Sequence, residues 1–252
     1  LHRKLPKLFG FIFKKKLGLK RLRFFFCGGA ALSPEIENFF DNIGLKIIQG
    51  YGLSEASPLV SVNPLERKKV GSVGKVIDGC NVKIDDSDQY GNGTIKVKGP
   101  NIFEGYYKNE DATSETLQDE YLNTGDIGRF DSEGYLYITG REKFVIISSS
   151  GENIYPEEIE EMINIEVEIE ESIVFSVDQK KILTLIKLSD EFNKISHKRI
   201  IEIVDGINNR TEKFKRISGI YLTDISFEKT STQKIKRGFL NNINLDKYEK
   251  IK

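Results

Sequence analysis

A chain of 252 residues with 38% hydrophobic and 30% charged side chains has the make-up of a globular protein holding one large domain or two ordinary ones. Its 38 basic and 38 acidic residues cancel, which excludes the strongly basic signature of a nucleic-acid-binding protein. No apolar run approaches the roughly 20 residues of a membrane span, and two distant cysteines, Cys27 and Cys80, form neither a disulfide framework nor a zinc pattern. A reducing, cytoplasmic setting is the expectation.

Residues 1–23 hold nine Lys or Arg, no acid, and many Leu and Phe. A solvated helix leading into the run Phe24, Phe25 and Phe26 is expected there, with peripheral contact to an anionic membrane surface as the alternative. The string LRFFFC reads as a short buried strand ended by Gly28 and Gly29. Ser33 then offers an N-cap, Pro34 suits the first helical position, and Glu35 and Glu37 complement the positive end of the helix dipole. Gly44 stops the helix, and residues 45–49 form a second buried strand. Strand, ten-residue helix and strand make a parallel crossover. Its ligand end lies where Gly28, Gly29 and the segment Gly50, Tyr51, Gly52 emerge.

From residue 70 to 139 short alternating runs such as TIKVK at 94–98 are separated by Gly, Asn and Asp clusters, the texture of antiparallel β structure. A final hairpin is expected over 127–139, turning through Asp131, Ser132, Glu133 and Gly134. Beyond Gly140 the pattern mixes: a helix from Pro156, strands near 173–177 and 182–188, a helix over 196–209, and a strand near Ile220. The fold class is therefore α/β plus α+β. Residues 1–140 supply the end of a large α/β domain (1–65 α/β, 66–140 β-rich), and 141–252 a small mobile α+β domain.

Five strings occur in order: GGAALSPE at 28–35, QGYGLSEASP at 49–58, NTGD at 123–126, GREKFVIISSSGENIYPEEIE at 140–160, and KTSTQKIKR at 229–237. Any one alone would be loop chemistry; together they closely resemble the adenylate-forming superfamily of acyl-CoA synthetases, luciferases and peptide-synthetase adenylation domains. The branch most similar is that of the AMP-forming long-chain fatty acyl-CoA ligases. Short-chain, aryl-acid and acyl-carrier-protein ligases stay open as alternatives, as does a non-catalytic half-protein that only binds nucleotide.

The chemistry of the residues fits what the resemblance implies. Gly28, Gly29 and Ala30 let backbone approach a flat adenine, and Gln49, Gly50 and Gly52 belong to the same nucleotide-binding set. Tyr51 offers an aromatic face to the base, Ser54 a hydroxyl to the α-phosphate, and Glu55 a hard carboxylate oxygen to Mg²⁺. Asp126 can accept from both ribose hydroxyls, and Arg141 supplies a planar cation for ribose and phosphate. Lys143 aligns with the hinge on which the family's C-terminal domain pivots between adenylation and thioester formation. Ser150, Gly151 and Glu152 lie in the loop that borders the coenzyme A channel. Lys234 aligns with the catalytic lysine that stabilises charge as the carboxylate attacks phosphorus. Implied ligands are ATP or AMP, Mg²⁺, coenzyme A, and a fatty acid or other carboxylic acid.

Departures from the family pattern are Gln233, where Gly is common, and Thr94, where Glu is usual. The Ser/Thr/Gly-rich phosphate loop with its own lysine has no counterpart in these residues. The resemblance implies that it lies upstream, so the missing N-terminal half of the same enzyme is an expected partner and the 252-residue chain is expected to be inactive alone.

Overall fold

The computed structural model describes residues 5–178, 181–230 and 234–252, with side chains from residue 10 onward. Gln233 and its two predecessors, within the last of the five motifs, lie outside the described residues. The chain divides into two compact units, Leu1–Thr139 and Gly140–Lys252.

In the first unit the helix Leu5–Lys16 precedes the expected crossover. Strand Phe25–Cys27 pairs in parallel with strand Ile47–Tyr51, Phe25 opposite Ile47, and helix Pro34–Asn42 connects them. The Ser33 hydroxyl accepts from the Ile36 N–H at 3.2 Å, satisfying one of the helix's orphan donors. Gly44, at φ +78°, ends the helix as only glycine does readily. Two short antiparallel strands, Ser61–Val62 and Lys75–Val76, complete this sheet.

The structure corrects the expected burial of the first strand. Phe24, Phe25 and Phe26 are 37%, 37% and 57% exposed. Among the described residues Phe25–Cys27 pairs only with Ile47–Tyr51 and is the edge of its sheet, so an intrinsically buriable segment has too little covering it. Phe11, Ile12, Phe13, Leu17, Ile36 and Phe39 are exposed as well. Glu37 also departs from its expected role: it is fully buried and accepts from Gln49 Nε2 (2.8 Å), Lys68 Nζ (2.8 Å) and the Gly71 N–H (3.1 Å), fastening helix, strand and loop together.

The β-rich part is a five-stranded antiparallel sheet of Asn81–Asp85, Gly93–Lys98, Tyr121–Phe130, Leu117–Gln118 and Leu136–Arg141. The last hairpin turns as read, with the Gly134 N–H bonded to the Asp131 carbonyl at 3.0 Å. Ala56, Val60, Ile95, Val97, Leu122 and Leu136 form its core.

The second unit contains the hairpin Ile146–Ile147 with Asn153–Ile154, helix Pro156–Asn164, helix His197–Asn208, and a four-stranded sheet. The sheet runs Ile169–Val177, Lys181–Leu188, Ile217–Thr223, Glu249–Lys250. Its two central strands are parallel, joined through the second helix, and the outer pairs are antiparallel. Both faces are covered, which explains near-continuous apolar strings such as SIVF and ILTLI. One face packs on Ile159, Ile163, Ile200, Val204 and Ile207 from the helices; Phe227 and the segment from Ile235 to Tyr248 cover the other. Each fully buried aliphatic side chain contributes about 1.5–3 kcal/mol before chain entropy is counted.

No helix among the described residues is long and apolar enough to cross a membrane.

Candidate active site

Three segments of the first unit carry the candidate nucleotide-binding residues. Ile47–Tyr51 delivers Tyr51 at its carboxyl end, and a single 3₁₀ turn, Ser54–Ala56, follows with Ser54 exposed and Glu55 half-buried. The turn closes because residue 52 is glycine: a Cβ there would lie 1.7 Å from the Pro58 carbonyl oxygen. The glycine loop after the first strand meets its neighbour less tightly, a Cβ on Gly28 lying 3.0 Å from the Gly50 carbonyl. Gly28, Gly29 and Ala30 are exposed.

The NTGD string is a β-bulge. Along the pairing of Gly93–Lys98 with Tyr121–Phe130, Thr94 faces Ile127 and Lys96 faces Asn123, so Thr124, Gly125 and Asp126 all oppose Ile95. Such a bulge re-aims a side chain that a regular strand would send elsewhere. The Thr124 hydroxyl donates to the Ile95 carbonyl (2.8 Å) and accepts the Asp126 N–H (3.1 Å), and Gly125 takes φ +65°. Asp126, only 6% exposed, is thereby fixed to accept a 2.6 Å hydrogen bond from the Tyr51 hydroxyl through Oδ2. Two residues 75 apart in sequence are joined directly.

Glu55 is also held. Its Oε1 accepts from the Tyr106 hydroxyl at 2.8 Å and its backbone carbonyl accepts the Phe103 N–H at 2.9 Å. Burial, and then the adjacent Glu55 carboxylate, push the Tyr106 phenol above its ordinary pKa, which keeps it a donor. Asn101 reinforces the clasp by donating to the carbonyls of Ala56 (2.7 Å) and Leu59 (3.0 Å). Neither Tyr106 nor Asn101 was singled out from the sequence; the string GYY at 105–107 is the signal that could have drawn attention to Tyr106. Among the described residues no cluster of three or more His, Cys, Asp or Glu is assembled that could hold a metal. A lone carboxylate is the donor set suited to a magnesium ion that keeps its waters and takes phosphate oxygens from a substrate.

Gln49 stands apart from the residues grouped with it. It is buried, and its side-chain amide donates to Glu37 inside the sheet–helix network, so its polar head is committed to packing.

In the second unit Arg141 ends strand Leu136–Arg141 and is half-buried, and Lys143 lies exposed in the 3₁₀ turn Glu142–Phe144, its ammonium 5.0 Å from the Phe144 ring centroid. The serine-rich string forms the tip of the small hairpin. Ser148 and Ser150 both donate to the Glu152 carboxylate, the Ser148 N–H bonds to the Glu152 carbonyl (2.9 Å), and Gly151 takes φ +91°. Those hydroxyls hold the Glu152 carboxyl below its usual pKa, so Glu152 is an internal brace of the loop. Behind the loop lies a cavity of about 350 Å³ whose walls include Ser148, Ser149, Lys213, Phe214, Arg216 and Ser218. The cations Lys213 and Arg216 were not recognised in the sequence; the string KFKR at 213–216 was the available signal. Lys234 is exposed, its N–H bonded to the Thr230 hydroxyl at 3.2 Å.

A family model described as AMP-binding enzyme matches residues 3–107, and one described as AMP-binding enzyme C-terminal domain matches residues 143–250. The chain belongs to the AMP-binding enzyme family. The resemblance carried by the five motifs is borne out, as is the α/β plus α+β fold class. Among AMP-binding relatives, the long-chain-fatty-acid–CoA ligase ACSBG1 of Mus musculus is 38% identical over 174 residues, covering 69% of this chain and 24% of that protein. The long-chain-fatty-acid–CoA ligase FadD15 of Mycobacterium bovis is 36% identical over 164 residues, covering 65% and 26%. A solved structure of o-succinylbenzoate CoA synthetase (MenE) from Bacillus subtilis, in complex with the acyl-adenylate intermediate OSB-AMP, superposes with a TM-score of 0.79 at 27% identity, covering 90% of this chain and 47% of that one. The same enzyme with ATP and magnesium ion gives 0.76 at 27% identity, covering 87% and 46%. The chain thus spans about a quarter of the length of the curated relatives it matches.

Proposed function

We propose that the protein containing this chain is an AMP-forming acyl-CoA ligase that activates a fatty acid as its adenylate and transfers the acyl group to coenzyme A. The observation that carries this reading is the bridge from Tyr51 to Asp126 beside the clasped Glu55, which gathers an aromatic face, a buried diol acceptor and a cation-binding carboxylate. The fatty-acid assignment is supported by the long-chain ligases among the relatives.

In the first half-reaction a carboxylate oxygen attacks the α-phosphorus of ATP and the bond to pyrophosphate breaks. The Tyr51 ring stacks on the base, Asp126 accepts from the ribose hydroxyls, and Ser54 donates to the α-phosphate. Glu55 would contribute one ligand to a magnesium ion, which would supply neutralisation of phosphate charge. Lys234 stabilises the negative charge that accumulates at phosphorus. In the second half-reaction the thiolate of coenzyme A attacks the acyl carbonyl and AMP departs. The loop of Ser150, Gly151 and Glu152 borders the path of the thiol, Lys143 is the pivot, and Lys213 and Arg216 offer cations to the phosphates of coenzyme A.

The test is fatty-acid-dependent exchange of labelled pyrophosphate into ATP by the full-length protein, then thioester formation, across short, long and aromatic acids. Exchange with fatty acids is the expected result. Exchange only with aromatic acids would overturn the substrate class, and no exchange with any acid would overturn the ligase reading in favour of a non-catalytic nucleotide-binding protein.

A further inference from the structure

Residues 228–230 and 234–236, the second run carrying Lys234, lie antiparallel to one another. Lys229 and Ile235 form a β-bridge, the Thr230 N–H bonds to the Lys234 carbonyl at 2.8 Å, and the Lys236 N–H bonds to the Glu228 carbonyl at 2.8 Å. Period-two alternation sends Ile235 inward, onto the cluster that includes Ile173 and Phe175, and leaves Lys234 and Lys236 exposed. Lys236 pairs with Glu228. Each of the two runs rests on a carboxylate rooted in the core of the second unit. At one end Lys229 pairs with Glu171 of strand Ile169–Val177, a buried residue that also accepts the Phe227 N–H at 3.4 Å. At the other, Arg237 pairs with Glu160 of helix Pro156–Asn164 and donates through Nη1 to the Val174 carbonyl at 3.3 Å. The same guanidinium lies 4.7 Å from the centroid of the Phe144 ring, beside Lys143.

A surface lysine on a four-carbon stem is a poor preorganised charge unless its backbone is fixed. Two buried anions gripping cations five residues before and three residues after Lys234 supply that fixity, and a polar core in this unit is otherwise hard to explain, since apolar pairs would fill the same volume without the cost of desolvation.

We propose that Glu171 and Glu160 are positioning residues for the first half-reaction: through Lys229 and Arg237 they fix the two antiparallel runs so that the Lys234 ammonium is presented at one place. This rests on the ligase reading above and on the role it gives Lys234. Misplacement of a reacting group by about 1 Å costs up to about a hundredfold, so the loss on cutting one anchor lies between about tenfold and that limit.

The test uses the full-length protein and measures both half-reactions separately in Glu171→Gln, in Lys234→Ala and in the combined variant. Glu171→Gln is expected to lower acyl-AMP formation about tenfold or more, to leave thioester formation from supplied acyl-AMP within about twofold, and to cause no further loss once Lys234 is alanine. Should Glu171→Gln fold poorly, Lys229→Gln cuts the same anchor from its more exposed side, and the exchange Glu171→Lys with Lys229→Glu is expected to restore part of the lost rate. Losses that multiply in the combined variant, or that fall equally on both half-reactions in step with the melting temperature, would overturn the positioning role while leaving the ligase reading intact. Full exchange activity in Lys234→Ala would instead overturn the role given to Lys234, and the positioning proposal with it.

Discussion

Glu160 and Arg237 make the most quantitative stability prediction, because their side chains are 10% and 9% exposed and each has few alternatives to the other. Glu160→Gln preserves the shape and an oxygen to accept the Val174 N–H, made by Oε1 at 2.6 Å in the native protein, but removes the carboxylate charge paired with the guanidinium. Leaving one partner of a buried ion pair uncompensated costs about 3–5 kcal/mol. Replacing both, as Glu160→Leu with Arg237→Met, removes the unpaired charge as well and is expected to cost less than about 1 kcal/mol or to stabilise. Denaturant unfolding of the native protein, Glu160→Gln, Glu160→Leu, Arg237→Met and the double variant measures this, with hydrogen exchange at strand Ile169–Val177 reporting the second unit separately. A Glu160→Gln cost below about 1 kcal/mol, or a double variant as unstable as the sum of the singles, would refute the buried-pair account.

Lys234→Ala is expected to lower acyl-AMP formation by about a hundredfold, as for loss of one preorganised electrostatic donor, with thioester formation from supplied acyl-AMP spared; rapid-quench assays of each step decide it. Lys143→Pro fixes φ at the pivot and should retain pyrophosphate exchange while impairing transfer to coenzyme A; equal loss of both would remove the hinge role. Tyr106→Phe should weaken divalent-cation activation severalfold by freeing the Glu55 carboxylate from its orienting donor, read as a shift in the magnesium dependence of exchange and in direct binding of manganese with ATP. Gly52→Ala should abolish folding of the 52–59 turn, since its methyl group would overlap the Pro58 carbonyl, and a variant with native nucleotide binding would contradict that geometry.

What the sequence made legible was local. Ser33, Pro34 and Gly44 mark helix ends through hydrogen bonds and backbone angles that involve only near neighbours, and the alternating strings after residue 70 carry their own strand period. Burial of Phe24, Phe25 and Phe26 was not legible, because aromatic character sets how much a residue gains from cover, not whether cover is present. Tyr106 escaped notice for a related reason: its partner Glu55 is 51 positions away, and a tyrosine in a glycine-containing loop reads as surface until that pairing is seen. Glu160, Glu171, Lys229 and Arg237 were likewise ordinary charges in a charge-rich chain until the fold buried them together.

Motif residues answer to two demands, and the structure helps to separate them. Gly52 must be small because its own chain passes within contact distance, whatever ligand binds nearby. Gln49 spends its amide on Glu37, and Glu152 spends its carboxylate on Ser148 and Ser150. These side chains are consumed by folding, so their replacement should be felt first as lost stability. Ser54 stands exposed at the start of its turn. A side chain can act on a ligand only with capacity the fold has not used. By that criterion Ser54 is where substitution should change nucleotide affinity with little change in unfolding free energy, and Gln49, Gly52 and Glu152 are where the reverse should hold.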